Sequence, residues 1–339
     1  MSPGKQIALL ALAISAHAAQ WDLENSGTQA SLRGIQNVGQ GVAWASGANG
    51  VVLRSEDFGY LWQQCAIPPD AAKLDFRGIR AWDANHAIVM SSGPGPASRL
   101  YETTDGCAHW RLLYTNLETA GFWDAIAFED QRHGILLGDP VNGRFVILRT
   151  SDGGRRWSRD DSPALSAGPE EGAFAASNSA LTINPDGSIY FAASGPDGAR
   201  IFSLANKSGE WKSSKMPFSH RSNSAGIFSV SFRDPRHGVA VGGDYKRPDQ
   251  RDDTAAWTSD GGSTWSVSSG LPAGYRSAVA WDPKLRAWIA VGPNGCDISY
   301  DDGNTWKHFD HAGWNALSLP WAVGPDGRIA TLDEPALQR

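Results

Sequence analysis

Charge is scarce in this chain. Asp, Glu, Lys and Arg supply 19% of its 339 residues, and the formal net charge is -6. Without a basic excess there is no face to neutralise phosphates, which excludes nucleic acid as the expected partner. Long hydrophobic runs are also missing. None reaches the roughly 18–20 residues of a helical membrane span, so no transmembrane segment is expected. The three cysteines, Cys65, Cys107 and Cys296, have no zinc-site spacing, and the eight His show no close metal-ligand pattern. No metal is expected. No G-x-G-x-x-G opens a strand-turn-helix unit, which removes the case for a dinucleotide, and no cofactor is expected.

Abundant instead are Gly (38), Pro (19) and above all Trp (15). So many aromatics exclude a disordered chain. With few charges, this composition points to many short strands joined by tight turns. The first 18 residues read differently. Lys5 precedes the apolar stretch Ile7 to Ile14, and Ala16-His17-Ala18 is a small-x-small pattern. This predicts a secretory signal peptide over 1–18 and a periplasmic or secreted protein; a buried N-terminal strand or helix is the alternative. An oxidising compartment permits one disulfide, with Cys65–Cys107 favoured as the pair. Three buried free thiols are the alternative.

One motif recurs along the chain. Ser55-Glu-Asp57-Phe-Gly59-Tyr-Leu-Trp62 returns as Thr103-Thr-Asp105-Gly-Cys107-Ala-His-Trp110, with Cys in place of Gly. It returns again at Asp152 to Trp157, Asp260 to Trp265 and Asp301 to Trp306. A worn copy ends at Trp211, with Asn206 for the Asp and Ser208 for the Gly. The pattern is S/T-x-D-x-G-x-x-W, and the Asp positions step by 48, 47, 54, 54 and 41 residues. It suits a hairpin turn: the carboxylate accepts backbone N–H groups, Gly permits positive φ, and Trp opens the next strand. These residues are expected to be structural. The alternating acids and later Glu of a calcium loop are absent.

About four short strands surround each copy, the unit of a propeller blade. Six such units run to about Asp310, and the chain beyond Ala312 holds further strands without a motif. Gln20–Glu24 resembles the strand that follows a motif Trp. The expectation is an all-β, seven-bladed propeller over 19–339, a single domain and a monomer, closed by N- and C-terminal strands in one blade. Six blades with two tails is the alternative.

The motif is that of the Asp-box, or BNR, repeat. With its flanks, Phe232–Gly238 followed by Val239–Gly242 and the parallel Phe128–Gly138, the chain resembles the family of photosystem II assembly and stability factors and its bacterial relatives. The resemblance implies an exported seven-bladed propeller that binds partner proteins. Other Asp-box propellers are sialidases and further glycoside hydrolases.

In such a fold, function is expected in the loops entering the first strands and those joining the second and third. Alignment of the first strands brings Arg33, Arg77, Asp124, Ser179, Phe228 and Ser277 to one mouth, with Trp123, Asn178 and Arg276 one residue earlier. Asp139, Asp244, Tyr245, Glu170, Glu171, Trp314 and Asn315 are added by the loops. Two readings follow. In a binding protein, Arg33, Arg77 and Arg276 grip carboxylates or carbonyls of a protein, glycan or small ligand, and Trp123 and Trp314 anchor it. In a glycoside hydrolase, Glu171 works with Asp124 or Asp139 at about 5–10 Å. A sialidase-like arrangement of three Arg with Tyr245 or Tyr275 lacks the Arg-Ile-Pro phrase. Carboxylates locked into Arg pairs would count against hydrolysis. His133 and His237 recur before Gly, where a turn role is expected.

Overall fold

The computed structural model describes residues 20–205, 209–218 and 222–337. The expected signal segment, and Asn206 and Ser208 of the worn motif copy, lie outside the described residues. The described strands form seven four-stranded antiparallel sheets. Six of them use consecutive strands and span 32–64, 76–115, 123–159, 181–215, 225–267 and 278–310. The seventh joins three strands from 316–332 to Trp21–Glu24, with Trp21 opposite Leu332 and Glu24 opposite Ile329. First strands neighbour one another around the ring, and the first strand of blade 1 returns to that of blade 7. The chain is therefore a seven-bladed β-propeller closed by both ends of the described chain. No helix among the described residues is long and apolar enough to cross a membrane.

Burial follows from this stacking. The second strands Ala87–Ser91 and Ile189–Gly195 are buried at every position, because a neighbouring blade covers each face. The fourth strands Gln63–Gln64 and Ser158–Arg159 are short and largely exposed. Core residues fill the gaps between blades. At the closing seam Leu53 and Trp62 of blade 1 pack with Trp321 and Val323 of blade 7.

Third strands end on the first motif residue: Ser55, Thr103, Thr150, Thr258 and Ser299. In each turn that hydroxyl accepts the N–H of the motif Gly, or of Cys107, at 2.9–3.0 Å. It donates to the Asp Oδ1 at 2.8–3.0 Å. The same Oδ1 accepts the N–H four residues on, at 2.8–3.0 Å. Five motif Trp, at 62, 110, 211, 265 and 306, are buried, and Trp157 is half-buried. Burying an indole stabilises by about 4–6 kcal/mol gross at 25 cal/mol per Å². His133 and His237 lie in turns, bonded to Asp130 and Asp234 at 2.8 and 2.9 Å.

Cys107 departs from the motif because it is bonded to Cys65, which follows the fourth strand of blade 1. It keeps the left-handed backbone of the Gly it replaces, at φ 67. Cys296 is free and buried. The bridge staples two blades across 42 residues, a loop whose closure contributes about 2–4 kcal/mol. Cys107→Gly, which restores the motif, is expected to lower the unfolding free energy by about that amount. Denaturant titrations of oxidised and reduced protein check this; reduction should not destabilise the variant further.

The motif carboxylates respond to acid. His109, through its backbone N–H and then its ring, holds Asp105 down to about 2, and the Arg156 side chain and backbone do the same for Asp152. A folded value below the ordinary 3.8 means stability present above about pH 4 and lost as the pH falls towards 2. Thermal melts between pH 2 and 7 should show a smaller acid loss for Asp152→Asn than for wild type.

Candidate functional site

The first strands of four blades are interrupted where they reach the mouth. The register with the second strand shifts between Leu32 and Gly34, Phe76 and Gly78, Trp123 and Ala125, and Ile227 and Ser229. The bulged residues are Arg33, Arg77, Asp124 and Phe228. A bulge leaves one residue out of the ladder and re-aims its side chain. All four line one cavity of about 560 Å³. Asp139, Tyr245, Ser277 and Asn315 also line it.

One wall of the cavity is aromatic. Phe174 stacks on Phe228 with centroids 3.8 Å apart, Tyr275 meets Phe228 edge-on at 4.6 Å, and Tyr245 stands 6.2 Å from Phe228. The cationic side is Arg33 with Arg77. Arg77 donates to Asp75 and to the Ala175 carbonyl, both at 2.8 Å. Arg33 is half-buried and makes no hydrogen bond or ion pair with any described residue. Burial, then the Arg77 charge, hold its guanidinium below the usual value. Burial also pushes the Tyr275 hydroxyl up.

The acidic side is Asp124 with Asp139. Asp124 is buried, and its Oδ2 has no hydrogen-bond partner among the described residues. Burial, then the neighbouring Asp139, push its carboxyl well above the ordinary range. Asp139 accepts the Ala173 N–H at 3.0 Å, yet burial still pushes it up. An open guanidinium and an unsatisfied carboxyl therefore share one aromatic-walled concavity, which can hold a group carrying both acceptors and donors beside an apolar part.

Other expected residues lie elsewhere. Arg276 is fully buried and paired with Asp297, and it donates to Asn294 at 2.7 Å, so it cannot grip a ligand. Trp123 is buried and stacks on Tyr114 at 5.8 Å; Trp314 is buried against Trp21 at 5.1 Å. Both indoles are core; Trp123 shares a strand with Asp124, and one step along a strand turns a side chain to the other face. Asn178 joins blades by accepting the Ile126 N–H at 2.8 Å and donating to the Ile126 carbonyl at 3.0 Å. Asp244 is buried and holds Lys246 N–H and Arg247 at 3.0 and 2.9 Å.

Glu171 pairs with Arg200, Oε1 accepting from Nε at 2.8 Å, and lines a separate cavity of about 540 Å³. Glu170 accepts a hydrogen bond from Asn223 at 2.8 Å. Ser179 is bonded to Ser177 and Ser229. The site also contains Phe174, which the sequence reading passed over; it sits in the long loop before blade 4, where no strand register marks it.

A cavity of about 600 Å³ opens on the other face, beside Trp157 and Ile135. Its charged groups are already matched: Arg149 with Asp160, Arg156 with Asp152, and His133 with Asp130. The mouth keeps unmatched groups and is the stronger site.

No protein-family model matches the chain, and neither does any curated protein sequence. Solved structures do. One, "YCF48 bound to D1 peptide", is 15% identical, with a TM-score of 0.66 over 93% of this chain and 97% of that one. YCF48 from Cyanidioschyzon merolae is 18% identical, with a TM-score of 0.65 over 93% and 99%. The GH74 enzyme of Niastella koreensis is 13% identical, with a TM-score of 0.57 over 94% of this chain and 61% of that one. At these identities the likeness is one of fold.

Because the folded value of Asp124 lies above its unfolded one, the folded state binds the extra proton, and stability falls as the pH rises from about 4 through that value. Asp124→Asn is expected to melt higher than wild type at pH 8 and nearly with it at pH 4. Equal melting at both values would remove the strained carboxyl from the site.

Proposed function

We propose that this chain is an exported monomeric binding protein of the cell envelope that captures a segment of a partner protein in its channel mouth, in the manner of the assembly-factor family it resembles through its Asp-box repeats. The observation that carries this is one cavity lined by the Arg33 guanidinium, which is unpaired among the described residues, by Asp124, whose Oδ2 lacks a hydrogen-bond partner there, and by Phe174, Phe228 and Tyr245. Arg33 and Arg77 take a carboxylate or backbone carbonyls of the segment. Asp124, when protonated, donates to an acceptor, and the aromatic wall covers an apolar side chain. A neighbouring fold described as bound to a peptide supports a peptide as the ligand class.

The competing hydrolase reading draws on the GH74 neighbour and on Asp124 with Asp139. It loses Glu171 to the Arg200 pair, and it has no use for the open Arg33.

The test has three arms. Fractionation should find a chain lacking residues 1–18 outside the cytoplasm; a full-length cytoplasmic chain would overturn the export claim. Cross-linking in cells should capture a protein on wild type. Removing one charge-assisted contact costs about 1.5–3 kcal/mol, so Arg33→Ala should weaken that capture roughly ten- to hundredfold with an unchanged melt. Capture that survives both Arg33→Ala and Phe228→Ala sinks the mouth as the binding site. Turnover of a glycoside panel that disappears in Asp124→Asn would make this an enzyme instead.

A further inference from the structure

The first motif turn differs from the other complete ones in the side chains it carries. Phe58 donates its N–H to the Gly41 carbonyl at 3.0 Å, as Gly106, Gly153 and Gly261 do to Asn85, Arg132 and Arg236 at 2.9–3.1 Å. These positions are equivalent, and all are left-handed. The three glycines have φ 70–76; Asp302 of the fifth turn, at φ 58, is a residue type that tolerates this region, whereas bulky Phe58, at φ 63, pays steric strain. Four residues after the Asp, His109, Arg156, Thr264 and Thr305 each return a side-chain hydrogen bond to the carboxylate at 2.6–2.8 Å. Leu61 occupies that position in the first turn and has nothing to donate. Between them, Tyr60 stands where the other turns have Ala108, Arg155, Ser263 and Asn304.

This local sacrifice places three large apolar side chains in solvent: Phe58 is 68% exposed, Tyr60 89% and Leu61 58%. They project from a rigid base. Trp62 meets Trp321 of blade 7 edge-on at 5.2 Å, and a Cβ at Gly59 would strike the Trp321 ring at 2.1 Å. The flank is acidic. Glu24 on the closing strand has Asp22 and Asp57 as charged neighbours, and burial, then Asp22, then Asp57, push its carboxyl up. That flank opposes both an anionic lipid surface and a second copy of the same patch, and it attracts cations.

From this geometry we infer that the Phe58-Tyr60-Leu61 hairpin is a second docking surface, on the face away from the channel mouth, for a partner-protein segment with apolar residues flanked by Lys or Arg. It is independent of the mouth reading, since none of its residues lines that cavity.

A random dodecapeptide display library, panned on the full chain and counter-selected on F58G/Y60S/L61T, tests it. That variant restores a regular motif turn and should melt no lower than wild type; a lower melt would show the three residues to be structural and overturn the inference. Enriched peptides should be apolar with Lys or Arg flanks, bind wild type at least tenfold tighter than the variant, weaken with added salt, and bind Arg33→Ala as wild type. No enrichment, or acidic peptides, overturns it. So does variant-sensitive binding to phosphatidylcholine vesicles, which would make the patch a membrane contact, or variant-sensitive dimerisation in sedimentation.

Discussion

Trp21 opposite Leu332 and Leu23 opposite Ala330 belong to a four-residue pairing on which the rest of the molecule depends. Through it the strand nearest the N-terminus completes the blade built from the C-terminal segment. That blade then abuts blade 1, and no sheet is left to stack on solvent. A propeller open at this seam would expose Leu32, Leu53, Trp62 and Trp321, all of them buried here. The seam also places Arg33 of the first blade beside Asn315 of the last, so the mouth exists only because the ring is closed. Closure of this kind removes sheet edges that would otherwise pair with other chains.

Within that ring, the site is made by faults in otherwise regular ladders. A regular strand alternates its side chains between the two blade interfaces, which suits a core and offers nothing to a channel. The bulges at Arg33, Arg77, Asp124 and Phe228 break the alternation at one level and turn four dissimilar side chains inward. The pairs that directly follow each bulge are regular again. The irregularity leaves a guanidinium without a partner among the described residues and a carboxyl whose burial opposes ionisation, both unfavourable in the free molecule. These two groups are the basis of the binding site proposed at the mouth.

The motif turns follow the same logic from the other side. Four of the five complete copies close their hydrogen bonds with polar residues and sit quietly at the rim. Where a copy departs, a physical reason accompanies it. Cys107 replaces Gly because it is tied to Cys65 of the preceding blade. The first copy gives up a hydrogen bond and an easy backbone, and it gains exposed apolar surface on a rigid hairpin.

The number of blades, the position of each turn and the closing strand at Trp21 were all readable from the sequence. They rest on local chemistry repeated at a near-constant interval, and a residue needs only its neighbours to form such a turn. The level of the mouth is legible too: Arg33, Arg77, Asp124, Asp139 and Tyr245, all expected there from the sequence, line one cavity. Which neighbouring residues share it was a different matter. Trp123, Arg276 and Trp314 are each one residue from a mouth position, yet all three are buried in the core; beside Trp123 the bulge at Asp124 turns one side chain to the mouth and leaves its neighbour in the interface. Glu171 met Arg200, 29 residues away, across a loop with no register. Partners in that sense are set by packing between blades, where distances along the chain carry no information about distances in space.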